Sequence, residues 1–87
     1  MEIIYHENFR KNFKKRVSPN KKLVTRFQER LELLIDNPDN PQLKNHKLIG
    51  TKKELNAFSV TGDIRVVYKI ENSKLLLYDI GTRNQVY

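Results

Sequence analysis

Moving a proton near neutral pH is work for an imidazole or a carboxylate, and holding an anion is work for a guanidinium. In this chain those types gather in the C-terminal half: His46, the close pair Asp63 and Arg65, then Arg83 and the aromatic Tyr87. Taken singly, each has a plainer reading. His46 reads as a surface histidine, Asp63 with Arg65 as an exposed ion pair of little energetic worth, and Arg83 as a tail charge. Other chemistries find less support. There is no cysteine, hence no thiolate nucleophile, disulfide or thiolate metal site. Glycines at 50, 62 and 81 do not form a phosphate-cradling loop. His6 and His46 are too far apart in sequence to make a recognisable metal motif. No cofactor is expected, metal or small molecule.

The charge balance names a kind of partner. Seventeen Lys and Arg against ten Asp and Glu give +7 over 87 residues, an excess that favours a polyanion, with nucleic acid first. The excess has a place. Arg10, Lys11, Lys14, Lys15 and Arg16 crowd the first 16 residues, and Lys21, Lys22 and Arg26 follow. Further on, Glu29, Glu32, Asp36 and Asp39 nearly neutralise their stretch. No apolar run is long enough to span a bilayer, and the first residues read as a strand rather than a secretory signal. The expectation is one cytoplasmic domain over residues 1–87 with no membrane partner.

Those residues need elements to position them. Glu2–Tyr5 reads as a short strand. Phe9, Phe13 and Val17 recur every four residues and predict a helix over His6–Val17, with Arg10, Lys11, Lys14 and Lys15 on its other faces. Ser18-Pro19 reads as a cap and first residue of a second helix. Val24, Phe27, Leu31 and Leu34 form its apolar stripe, and Asn37-Pro38 ends it. Leu55–Val60, Ile64–Ile70 and Lys74–Ile80 then read as strands joined by the tight turns Thr61-Gly62-Asp63 and Glu71-Asn72-Ser73, with a weak extra strand near His46. The expected fold is α+β: a two-helix hairpin on one face of an antiparallel sheet of three to four strands, in the order β-α-α-β-β-β. Alternation along the second of the three strands sends Ile64, Val66, Tyr68 and Ile70 toward the helices. Asp63, Arg65, Val67 and Lys69 then share the other, open face, a surface of the kind that can hold a single strand of RNA.

Three segments in this order resemble the RelE/ParE toxin superfamily, and within it the YafQ-like toxins. They are His46-Lys47-Leu48-Ile49-Gly50, Gly62-Asp63-Ile64-Arg65-Val66-Val67-Tyr68-Lys69, and Asp79-Ile80-Gly81-Thr82-Arg83-Asn84-Gln85-Val86-Tyr87. The resemblance covers essentially the whole chain and matches its length and element order. It implies the toxin of a type II toxin–antitoxin system: a ribosome-dependent endoribonuclease that cuts messenger RNA in the aminoacyl site by metal-free attack of the 2′-hydroxyl. It also implies a cognate antitoxin as partner. ParE-like members share the fold and poison DNA gyrase instead, and a non-catalytic RNA-binding module is the third reading.

The resemblance carries roles to particular residues. His46 matches the histidine before the Leu-x-Gly turn and would transfer a proton; Asp63 would act as base or orient its neighbours. Arg65 and Arg83 would hold the scissile phosphate, and Tyr87 would stack on a base or donate a proton. Arg10, Lys11, Lys14 and Lys15 would grip ribosomal RNA through its phosphates, and Lys52 and Lys53 would join only if their turn folds over the site. Two positions depart from the YafQ-like pattern: Arg83 and Ser59 stand where histidines are expected.

Overall fold

The computed structural model describes residues 1–50 and 54–87. Its elements run β1 (Glu2–Tyr5), α1 (Glu7–Arg16), α2 (Lys21–Asp36), a 3-10 turn (Pro41–Leu43), β2 (His46–Lys47), β3 (Asn56–Ser59), β4 (Ile64–Glu71), β5 (Lys74–Thr82) and α3 (Arg83–Val86). The sheet order is β1-β5-β4-β3-β2.

The α+β expectation and the helix hairpin hold. The sheet differs in having five strands and mixed pairing, because β1 lies parallel to β5, with Ile3 opposite Leu75 and Tyr5 opposite Leu77. Tight turns reveal the antiparallel pairing of consecutive strands; no turn relates β1 to β5, which lie at opposite ends of the sequence. Bringing β1 back alongside β5 leaves the helix hairpin on one face of the sheet.

The α2 start also moves. The Ser18 N–H bonds Phe13 O at 2.8 Å and so closes α1, which takes it out of cap geometry. Asn20 caps α2 instead, its Oδ1 accepting from the N–H groups of Lys22 and Leu23.

Phe9, Phe13 and Phe27 tie the two helices together, with ring centroids 5.2 to 5.7 Å apart. Beneath them lie Phe58, Val66, Tyr68, Leu75, Leu77 and Ile80, all buried. Val66 and Tyr68 face the helices as alternation predicts, and Ile70 is exposed at the strand's end. In β5 the inward positions pass from odd to even, from Leu75 and Leu77 to Ile80. Tyr78 is the cause: Val67 pairs with Asp79 but Tyr68 with Leu77, so Tyr78 is an extra residue and the strand carries a bulge.

The second face of the sheet is only partly open. Leu48, Ala57, Val67 and Val86 form a smaller buried cluster there, because α3 folds back across β4 and β5. That C-terminal turn, read from sequence as a tail, brings Arg83 and Tyr87 to the site.

Candidate active site

Two short segments build the site from opposite ends of the sheet's outer face. In the first, Lys44 adopts a left-handed conformation (φ 48°) after the 3-10 turn, and its carbonyl meets His46 Nδ1 at 2.9 Å. A carbonyl oxygen can only accept, so Nδ1 carries the proton, and the neutral imidazole keeps a bare lone pair at Nε2. Asn45, between them, is moored on both sides. Tyr68 Oη donates to its Oδ1 at 2.5 Å, and its Nδ2 donates to Pro38 O at 3.2 Å. The loop that carries the histidine is thus tied to the core by the Tyr68–Asn45 hydrogen bond.

In the second segment, Thr82 and Gln85 form a capping box that starts α3, and Gln85 Oε1 accepts from Thr82 N at 2.7 Å. Val86 is buried against the sheet, and Tyr87 N bonds back to Arg83 O. Tyr87 Oη then reaches His46 Nε2 at 3.1 Å, with the two rings meeting edge-on at 5.9 Å. The Arg83 guanidinium lies 5.7 Å from the Tyr87 ring centroid. Burial pushes the Tyr87 phenol above its ordinary value, and the charges of Arg65 and Arg83 pull it partly back. The phenol therefore keeps its proton at neutral pH and donates it to Nε2.

His46, Lys47, Leu48, Ile49, Arg83 and Tyr87 line a cavity of about 250 Å³. Arg83 also lines a second, more open cleft of about 390 Å³ with Gly62, Asp63, Arg65, Thr82 and Asn84. The Arg65 side chain donates to Gly62 O at 3.3 Å. Asp63 and Arg65 are not among the described ion pairs, which are Arg16 with Asp79 and Lys69 with Glu71. A hydrogen-bonded pair, His46 and Tyr87, therefore sits beside two guanidinium groups, with Arg83 shared by both hollows.

The sequence-derived residues fare differently. His46, Arg83 and Tyr87 come together in one cavity. Asp63 and Arg65 line the adjoining cleft, so Asp63 shares a hollow with the arginines and not with His46. Arg10 packs over the Tyr5 ring, 6.0 Å from its centroid, beside the groove between α1 and α2. Lys11, Lys14 and Lys15 are exposed along α1 and line neither hollow. Lys52 and Lys53 lie outside the described residues. Ser59 is buried opposite Arg65 in the β3–β4 ladder. Among the described residues no group of three or more His, Asp or Glu is placed to hold a metal ion, and no helix is long and apolar enough to cross a membrane.

Comparison with known proteins extends this picture. A family model described as the bacterial toxin of a type II toxin–antitoxin system, YafQ, matches residues 1–87. The crystal structure of YafQ from E. coli strain BL21(DE3) is similar to this chain at a TM-score of 0.84 and 25% identity, covering 99% of this chain and 97% of that one. YafQ in the E. coli DinJ–YafQ complex is similar at 0.81 and 24%, again covering 99% and 97%. A YoeB/ParE toxin from Agrobacterium tumefaciens shares the fold at 0.82 and 14% identity, covering 95% of this chain and 99% of that one. No curated protein matches the chain by sequence. With the match running from the first residue to the last, the chain belongs to the YafQ family of type II toxin–antitoxin toxins.

Proposed function

We propose that this toxin is an endoribonuclease that cuts messenger RNA in the aminoacyl site of the ribosome, and that a cognate antitoxin masks it until needed. The observation that carries the nuclease reading is the shared edge of the two hollows. A histidine whose unprotonated Nε2 accepts from a protonated tyrosine lies beside Arg83, and Arg83 lies beside Arg65. Both hollows lack a cysteine or serine to act as nucleophile. RNA supplies its own. The ribose 2′-oxygen bonds to the adjacent phosphorus, the bond from phosphorus to the 5′-oxygen breaks, and a 2′,3′-cyclic phosphate and a 5′-hydroxyl remain.

The residues divide that work. His46 Nε2 exchanges the proton, as base toward the 2′-hydroxyl or, once protonated, as acid toward the departing 5′-oxygen. Arg65 and Arg83 meet the charge that builds on the phosphorane oxygens, where fixed donors are worth most. Tyr87 holds Nε2 in the resting state and yields that position to the substrate. Asp63, in the arginine cleft, is placed to contact a ribose hydroxyl or to take the 2′ proton in place of His46. The exposed lysines of α1 are left for ribosomal RNA. The family's description as a toxin–antitoxin component, and the DinJ–YafQ complex among its structural neighbours, support an antitoxin partner. Such activity on ribosomes would be exercised in the cytoplasm.

Primer extension on a defined messenger RNA, with and without programmed ribosomes, tests this. Ribosome-dependent cuts that vanish in Arg65→Ala are expected. Cuts on naked RNA remove the ribosome requirement. An absence of cuts from protein that still arrests growth removes the nuclease and leaves gyrase as the target.

A further inference from the structure

Beyond the two hollows, the β3–β4 turn has another side. Gly62 lines the arginine cleft on one side of the turn and a separate depression of about 270 Å³ on the other. That depression is lined by Arg26, Arg30, Gln42, Lys44, Ser59, Thr61 and Gly62. Three cations come from α2 and from the loop before β2, and no carboxylate lines it. Two of its members tie it to the site. Lys44 is the residue whose carbonyl fixes the His46 tautomer, so its ammonium belongs to the same loop. Gly62 carries the carbonyl that Arg65 bonds.

The donors are partly organised. Arg30 Nη1 is anchored on Gln42 O at 2.5 Å, which fixes the guanidinium and leaves its other N–H groups free of that bond. Thr61 Oγ1 accepts from the N–H groups of Asp63 and Ile64, so its own proton is left to donate. A cluster of three cations around a concave, carboxylate-free floor is repulsive by itself and is relieved by an anion.

We infer that this depression is a second phosphate subsite, in which Arg26, Arg30, Lys44 and Thr61 hold the backbone of the RNA strand as it leaves the Arg65–Arg83 cleft over the β3–β4 turn. The inference rests on the nuclease reading and adds a direction to it. The strand runs from the His46 cavity, past Arg83 and Arg65, across Gly62 and onto α2. RNA is favoured over an acidic protein segment because the depression continues a cleft whose cations already face the proposed scissile phosphate. Two hydroxyl residues, Ser59 and Thr61, beside an anchored Arg30 and two further cations also suit a phosphate better than a side chain with an apolar stem.

The test is equilibrium binding of a short fluorescent RNA, 2′-O-methylated so that it is bound without being cut, over a range of salt concentrations. The protein is the full chain, as wild type and as Arg26→Gln/Lys44→Gln. Both side chains are exposed, and glutamine at 44 keeps the backbone carbonyl that His46 uses. Each single-strand phosphate contact contributes about 0.7 to the slope of log affinity against log salt, so losing two makes the slope shallower by about 1.4. A trinucleotide too short to cross the turn is expected to bind both proteins alike. An unchanged slope with the longer RNA overturns the subsite while leaving the nuclease reading in place. No binding of the longer RNA by the wild type overturns the subsite; the nuclease reading, whose expected cuts need the ribosome, is decided by primer extension. Unchanged RNA binding with weakened binding of the antitoxin overturns the subsite and marks the depression as a protein interface.

Discussion

At the scale of single residues, the site turns on one imidazole nitrogen. His46 Nε2 has one described partner, the Tyr87 hydroxyl, and the two residues stand 41 positions apart in sequence. No spacing argument pairs them; the resemblance to YafQ-like toxins marked each one separately. The signal that fixes the tautomer, a left-handed Lys44, is a backbone property that a lysine does not advertise. The consequences are measurable. His46→Ala is expected to lower single-turnover cleavage by roughly 10²- to 10⁴-fold, the usual range for a general acid or base. A loss of less than tenfold would remove His46 from proton transfer. Tyr87→Phe keeps the ring beside Arg83 and deletes a hydrogen bond that the substrate displaces, so it should cost about 1 kcal/mol of stability and leave single-turnover cleavage within about fivefold of wild type. Because burial raises the Tyr87 phenol above 10.0, the wild-type hydroxyl stays protonated through the neutral range. Wild type and Tyr87→Phe should therefore show the same limbs in a pH–rate profile below pH 10. A limb near pH 8 that disappears in Tyr87→Phe would show the phenol ionising during catalysis.

At the scale of elements, the sequence carried the helices, the N-terminal strand and the hairpin strands well, and the pairing of β1 and the C-terminal turn poorly. Four-residue spacing of Phe9, Phe13 and Val17 marks α1 because a helical face needs it, and Gly62 and Asn72 mark the turns. The start of α2 slipped because Ser18 and Asn20 are both competent caps, and only the hydrogen bond of Ser18 N to Phe13 O decides between them. Asn20→Ala should therefore cost about 1 kcal/mol in chemical denaturation, and Ser18→Ala much less. The C-terminal turn was illegible for another reason: four residues are too few to show a period. Yet α3 is the element that positions Arg83 and Tyr87, and Gly81 permits it. A Cβ on Gly81 would lie 2.5 Å from Arg16 Nη1 and 2.6 Å from Gln85 Oε1. Both atoms are engaged, Arg16 with Ile80 O at 2.9 Å and Gln85 with Thr82 N at 2.7 Å. Both side chains can swing aside, but only by giving up the brace from α1 to β5 and the cap of α3. Gly81→Ala should cost about 1–3 kcal/mol of stability. It should lower cleavage further than that loss explains, as measured at a temperature where the variant is still folded. Full cleavage by a folded Gly81→Ala protein would show that α3 does not set the geometry.

At the scale of the whole molecule, the core and the site are joined through Tyr68. Its ring packs against Phe58 at 5.6 Å inside the helix-side core, and its hydroxyl emerges to donate to Asn45, in the loop that presents His46. Alternation along β4 placed Tyr68 inward; nothing in the sequence said that its hydroxyl would anchor a loop 23 residues earlier. Burial raises its pKa above 10.0, and the hydrogen bond to Asn45 lowers it by a smaller amount. A native pKa above the unfolded one means that the protonated form stabilises the fold. That contribution is fully present below pH 10 and is lost as pH rises through the native value. Tyr87 adds a contribution of the same sign. Urea midpoints should therefore hold level from neutrality to about pH 10 and then fall. In Tyr68→Phe the plateau should sit lower by about 1 kcal/mol, because Asn45 loses its donor, and the alkaline fall should be shallower. Equal alkaline falls in the two proteins would mean that Tyr68 is not the group that titrates. Because the same bond moors Asn45 beside His46, Tyr68→Phe should also slow cleavage at neutral pH while leaving its pH limbs in place.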